Sequence, residues 1–263
     1  MPRTLRHKII AAVLLLLSGF GAHAAPPVQA VALRDMEAWL VSDKSLPLIT
    51  IKMAWRGGAA SDPEGKAGLS MMLARLMNEG AGELPAQAFQ KAMADNAMSL
   101  SFSAGRDEVT GTLRCLSRYK PACYKLLRLA LTAPRFDYEA VARMKQEQMT
   151  AILQAQQSPR SIANETLMAM AFGGHPYGQV HNGTAETLQA MRAPDIRAHY
   201  KAMMARDNLH LAVVGDIGRA ELRRLMRDIF LPLPRHTTLP KTEKTAIRQG
   251  PLNRHIERAG PQT

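Results

Sequence analysis

The chain is poor in cysteine, in aromatic side chains and in long apolar runs. Its 263 residues hold two cysteines, Cys115 and Cys123, and aromatics make up 5% of the total. No Cys-x-x-Cys occurs, which excludes zinc-ribbon and thioredoxin-type motifs. The eight histidines stand at positions 7, 23, 175, 181, 199, 210, 236 and 255, and none forms His-x-x-x-His or His-x-x-Glu-His. Basic residues outnumber acidic ones, giving a net charge of +12. Yet no Lys/Arg-rich run is interleaved with aromatics, so a nucleic-acid partner is not expected. The most apolar stretch, residues 9–17, is shorter than the ~20 residues a spanning helix needs.

That stretch instead has the layout of a secretory signal over residues 1–24. Arg3, Arg6 and Lys8 make a positive start, the apolar run follows, and Ala22-His23-Ala24 is a small-x-small cleavage site. Its removal lowers the net charge by three and leaves no membrane segment. The mature protein is expected in the periplasm or outside the cell. In such an oxidising compartment Cys115 and Cys123 either pair or remain two buried thiols, and the seven residues between them leave both open.

What is present is periodicity. After a Pro-rich lead-in at residues 25–35, a short strand is expected over 37–41. Ile49, Ile51, Met53 and Trp55 alternate with polar or small neighbours, as in a half-buried strand. A helix is expected over 67–79, with Leu69, Met72, Leu73 and Leu76 as its apolar stripe and Gly80 past its end. A second helix covers about 85–97. Two alternating segments flank the Gly105-Arg106-Asp107-Glu108 turn and read as a hairpin. Helices dominate from Tyr119 onward, including a long one over 137–157. Residues 209–214 suit a central strand, and a last helix covers 220–230. Residues 232–263 are rich in Pro, Thr, Lys and Arg, as in a linker. The expected fold class is α+β, a mainly antiparallel sheet with helices layered on one face, in one domain over 36–231.

Several phrases together resemble one domain of the pitrilysin/insulinase family of zinc metallopeptidases. They are Arg56-Gly57-Gly58-Ala59-Ala60-Ser61-Asp62-Pro63, Ala104-Gly105-Arg106-Asp107, Pro134-Arg135-Phe136-Asp137, His175-Pro176-Tyr177-Gly178, and Asp207-Asn208 followed by Val213-Val214-Gly215-Asp216. In active members of that family a His-x-x-Glu-His helix sets two imidazoles one turn apart on a zinc ion. A glutamate of the motif polarises the bound water, and a glutamate on the long helix completes the metal site. The matching positions here are Gly68, Met71, Met72 and, for the distal ligand, a site near Ala151. Glycine and alanine have no donor atom, and a thioether is a poor zinc ligand. The resemblance therefore implies a homologue without a catalytic site, without zinc and without another cofactor.

The family also contains non-catalytic subunits that pair with an active zinc peptidase and help it bind peptide. The resemblance implies such a partner and a peptide substrate. It places a peptide-binding edge strand over 99–104, with Ser101, Phe102, Ser103 and Ala104 as contacts; the same strand could instead pair on both sides within the sheet. Family chains carry two similar domains, so this chain resembles an N-terminal half, with 232–263 leading toward a second. Two other readings compete: a metallopeptidase with displaced ligands, and a truncated remnant without a function of its own.

Overall fold

The computed structural model describes residues 26–250 and 253–256. The expected signal segment lies outside the described residues. Six strands form the main sheet: β1 (Gln29–Leu33), β2 (Met36–Ser42), β3 (Leu48–Arg56), β6 (Ser99–Ala104), β7 (Glu108–Leu116) and β8 (Leu209–Gly215). Their order is β1-β2-β8-β3-β7-β6, and every pair is antiparallel except β2 with β8. A small ribbon, β4 (Gly80–Ala81) and β5 (Leu84–Pro85), lies apart. The α+β fold with a mainly antiparallel sheet is thus the observed one.

Period-two burial explains the layering. On β3, Ile49, Ile51, Met53 and Trp55 are fully buried, and β7 buries Val109, Leu113 and Cys115 on the same face. The other face carries Glu37, Lys52 and Arg114, with exposed Trp39 and Val214. Among the described residues the helices therefore cover one face only. They are α1 (Leu69–Leu76), α2 (Ala86–Asp95), α3 (Lys120–Thr132), α4 (Tyr138–Gln157), α5 (Pro159–Phe172), α6 (Ala185–Ala190), α7 (Ala193–Met203) and α8 (Arg219–Leu225). A π turn, Met226–Phe230, extends the last of them.

Two differences from the sequence reading have physical causes. The lead-in contains β1, a short edge strand that pairs with β2 from Gln29↔Leu40 to Leu33↔Met36. Its neighbouring prolines, Pro26 and Pro27, precede the strand rather than interrupt it. The linker region has no regular element among the described residues, but it lies against the body. Arg206 N donates to Pro234 O at 2.9 Å, Thr238 N to Ala202 O at 3.1 Å, and Arg248 N to Ala171 O at 2.9 Å. Leu239 packs on the core.

Cys115 at the end of β7 and Cys123 in α3 are joined as a disulfide, with Cα atoms 6.5 Å apart, and both residues are fully buried. The bond closes a loop of eight residues in sequence separation. Loop-closure entropy for a ring of that size is worth about 2–3 kcal/mol. The Cys115→Ala/Cys123→Ala pair is expected to lose about that much in urea denaturation, and reductant is expected to destabilise only the unsubstituted protein. Equal midpoints with and without reductant would show two thiols instead.

Candidate functional site

Helix α1 lies beside the edge strand β6 and beneath the long helix α4. It is amphipathic: Leu69, Met72, Leu73 and Leu76 are buried in the core. The helix begins at Leu69, two residues later than the periodicity suggests. Gly68 before it adopts the left-handed conformation, φ +89°. A Cβ built there would stand 2.7 Å from the carbonyl oxygen of Asn182 and 3.0 Å from Gln148 Nε2. Position 68 is therefore outside the helical repeat and closed to any larger side chain.

The other matching positions are equally unsuited to metal. Met72 is fully buried in the core, and Met71 is half-buried on the neighbouring side of the helix. Ala151 is half-buried on α4. The side chain that reaches Gly68 from α4 is Gln148, one turn earlier. Its Nε2 donates to Asn182 O at 2.8 Å and to Gly68 O at 3.3 Å. A carboxamide thus bridges two backbone carbonyls where the family resemblance would put metal-binding side chains. Zinc does not fit this set of residues: it offers two thioethers, no imidazole and no carboxylate. Among the described residues no group of three or more His, Cys, Asp or Glu side chains is arranged to hold a metal ion. His175 serves the loop instead: its Nδ1 accepts from Tyr177 N at 3.2 Å and its Nε2 contacts Glu243 O at 3.0 Å.

A polar cluster lies under the start of α1. Asp62 leaves a short 3₁₀ turn, Gly58–Ser61, and caps the helix from a distance. Its Oδ2 accepts from Gly68 N (2.9 Å) and Leu69 N (3.0 Å), and its Oδ1 accepts from Ser70 N (2.8 Å). Leu69 N is shared with Lys66 O at 3.1 Å, while Gly68 N and Ser70 N depend on Asp62 for satisfaction at the helix start. Ser70 Oγ lies 2.6 Å from Asp62 Oδ1, 2.8 Å from Gly58 O and 2.8 Å from His199 Nε2 on α7. The side chains of His199 and Asp62 are 2% and 1% exposed. Burial pushes the Asp62 carboxyl up to about 6 against the pull of its hydrogen bonds, and pushes the His199 imidazole down to about 4.

Serine, histidine and aspartate together suggest acyl transfer, but the geometry rejects it. In a hydrolytic triad the carboxylate holds the imidazole by the nitrogen remote from serine. Here Asp62 and Ser70 crowd the same Nε2, with Asp62 Oδ1 3.7 Å from it. No substrate could reach Ser70, which is fully buried. The cluster is structural.

The sequence reading did not find Gln148, nor the roles of Asp62, Ser70 and His199. One signal was available: Ile196, His199 and Met203 share a helical stripe, and all three are buried. A histidine on that stripe must find a partner inside the core. The partner could not be read, because Ser70 is 129 residues away. Ser101, Phe102, Ser103 and Ala104 do lie on an edge strand, since among the described residues β6 pairs only with β7. Ser101 and Ser103 are exposed, while Phe102 and Ala104 are half-buried. Ser103 Oγ meets Thr110 Oγ1 of β7 at 2.8 Å.

Comparison with known proteins agrees with this geometry. The family model described as Insulinase (Peptidase family M16) matches residues 39–185. The chain belongs to the insulinase family. Within it, a Helicobacter pylori relative (strain ATCC 700392 / 26695) described as the non-peptidase homolog YmxG is 28% identical over 189 residues, covering 71% of this chain and 44% of that protein. The inactive domain of a peptidase of this family from Pseudomonas fluorescens superposes with a TM-score of 0.79 at 22% identity, over 84% of this chain and 54% of that one. Pitrilysin superposes with a TM-score of 0.74 at 17% identity, over 86% and 25%. The chain thus spans about half or less of the length of these relatives. The family's scaffold is present, and the positions that match its metal ligands, Gly68, Met72 and Ala151, carry no imidazole or carboxylate.

Proposed function

We propose that this insulinase-family homologue is an exported subunit that assists an active zinc peptidase of the same family in binding peptides. The observation that carries the reading is the contrast at α1. The helix has no imidazole or carboxylate, yet among the described residues the sheet edge beside it is open at β6. An exposed edge strand carries unpaired backbone N–H and C=O groups, and an extended peptide satisfies them by adding as a further strand. Ser101, Phe102, Ser103 and Ala104 would then contribute backbone contacts with little side-chain selectivity. Export is supported by the positive-apolar-small pattern of residues 1–24 and by the Cys115–Cys123 bond, since disulfides persist in oxidising compartments.

The test is affinity purification of the tagged, full-length protein from a periplasmic extract, followed by peptidase assay of the mixture. A co-purifying family member with an intact His-x-x-Glu-His motif is expected. Mixing should lower its KM for peptide, with kcat little changed, as uniform binding requires. Failure to associate, together with unchanged kinetics on mixing, would remove the reading.

A further inference from the structure

The contacts of Ser70 can be counted proton by proton. A serine hydroxyl has one proton to donate and two lone pairs to accept. Ser70 Oγ makes three short polar contacts besides its own bonds: Gly58 O, Asp62 Oδ1 and His199 Nε2. The Gly58 carbonyl can only accept, so the hydroxyl proton goes there. The other two contacts are then satisfied only if Asp62 and His199 each donate. His199 does so as the neutral imidazole with its proton on Nε2. Asp62 does so only as the neutral acid. If the carboxyl ionises, the hydroxyl turns toward it. Ser70 Oγ and Gly58 O are then left 2.8 Å apart with no proton between them, and Gly58 O keeps only its hydrogen bond from Ser61 Oγ at 2.8 Å.

We propose that Asp62, Ser70 and His199 form a proton-operated clasp between the start of α1 and helix α7, closed when one proton sits on the Asp62 carboxyl and weakened when that proton leaves. The clasp joins segments that no regular hydrogen bonding links: the 58–62 turn, the first turn of α1, and the buried stripe of α7. The charged groups on the surrounding elements are paired elsewhere or exposed to solvent. Lys66, before α1, pairs with Asp195 of α7, and Arg75 of α1 lies 3.9 Å from Glu147 of α4. Arg197 of α7 donates to Arg135 O, and Lys201 of α7 is exposed. Arg56 of β3 and Glu108 and Arg114 of β7 are exposed as well. The Asp62 shift answers to burial and to bonds from Ser70, Gly68 and Leu69, and that of His199 to burial alone.

The linkage has an unusual form. The Asp62 pKa is raised on folding, so its contribution to stability is full below the ordinary carboxylate value near 3.8 and is lost as pH rises through about 6. The His199 pKa is lowered, so its contribution is present above 6.5 and is lost as pH falls through about 4. Between pH 4 and 6 the folded cluster holds one proton, on Asp62, and the unfolded chain also holds one, on His199. The two slopes cancel in the intact protein.

Single substitutions should unmask them. Relative to the unsubstituted protein, His199→Gln keeps a donor near Ser70 but does not titrate. Its unfolding equilibrium constant should rise by about sevenfold for a pH increase from about 4.5 to 5.5. Asp62→Asn removes the opposite contribution, and its constant should fall by the same factor over that interval. Chemical denaturation at several pH values reads both. Slopes parallel to those of the unsubstituted protein would overturn the proposal, whatever the loss in stability. Should either variant fail to fold, the Asp62 13Cγ shift decides in the intact protein. A titration midpoint near 6 supports the clasp, and one in the ordinary range below 4 overturns it.

Discussion

Restoring the family's metal-binding side chains is expected not to restore a metal site. The combination Gly68→His, Met71→Glu, Met72→His and Ala151→Glu should take up well under one equivalent of zinc and show no peptidase activity. The reason lies in the backbone. Two histidines face one zinc only if both occupy the same helical repeat, and position 68 is left-handed at φ +89°. A non-glycine residue there costs about 1–2 kcal/mol for its conformation alone. Its Cβ would also meet the Asn182 carbonyl at 2.7 Å, and Asn182 is held in place by Gln148. Met72→His adds a polar ring to a fully buried position, costing a further ~1–3 kcal/mol where no partner is available. The combined variant should therefore lose about 4 kcal/mol or more and much of its melting temperature. Metal analysis after gel filtration, with thermal denaturation alongside, provides the check. Stoichiometric zinc in a protein of unchanged melting temperature would show that the backbone of this region accepts a metal site once the ligands are supplied.

The same comparison marks what the sequence could and could not convey. The strands β3, β6 and β7 were legible because one face of each is buried against helices and the other is not. That asymmetry writes itself as alternation at Ile49–Trp55 and around the 105–108 turn. The loss of the zinc ligands was legible because it is a matter of side-chain identity. The closure of the site was not, since it rests on the backbone angle of Gly68 and on Gln148 reaching carbonyls 80 and 34 residues away. Strand β1 was hidden for a different reason. It is a short edge strand, and its pairing with β2 is not announced by a strong apolar pattern: only Val31 is buried. Asp62 reads as part of a turn because Ser61-Asp62-Pro63 has turn chemistry. Its service as cap to α1 depends on the chain folding back between Pro63 and Ala67.

That return is held by the glycine pair before it, and Gly58→Ala is expected to be among the most damaging small substitutions in the domain. Gly58 has φ +58°, and a Cβ there would stand 2.5 Å from Gly105 O, 2.7 Å from Arg106 O and 2.7 Å from Glu108 N. All three are backbone atoms of the β6–β7 turn, so no side-chain rotation relieves the overlap. The turn cannot withdraw freely either. Gly57 N donates to Asp107 O at 2.7 Å, Ala59 N to Gly105 O at 2.9 Å and Ala60 N to Arg106 O at 2.8 Å. Left-handed strain and overpacking together should cost about 3–5 kcal/mol. Gly65→Ala is the matched control: φ is +72°, and no atom lies within 4 Å of its would-be Cβ. It should cost only the conformational part, about 1–2 kcal/mol. Urea denaturation of the two variants separates strain from steric closure. Equal losses would mean that the contact between the 58–62 turn and the hairpin is soft. A much larger loss at Gly58 would show that this contact sets where Asp62 stands, and hence where α1 begins.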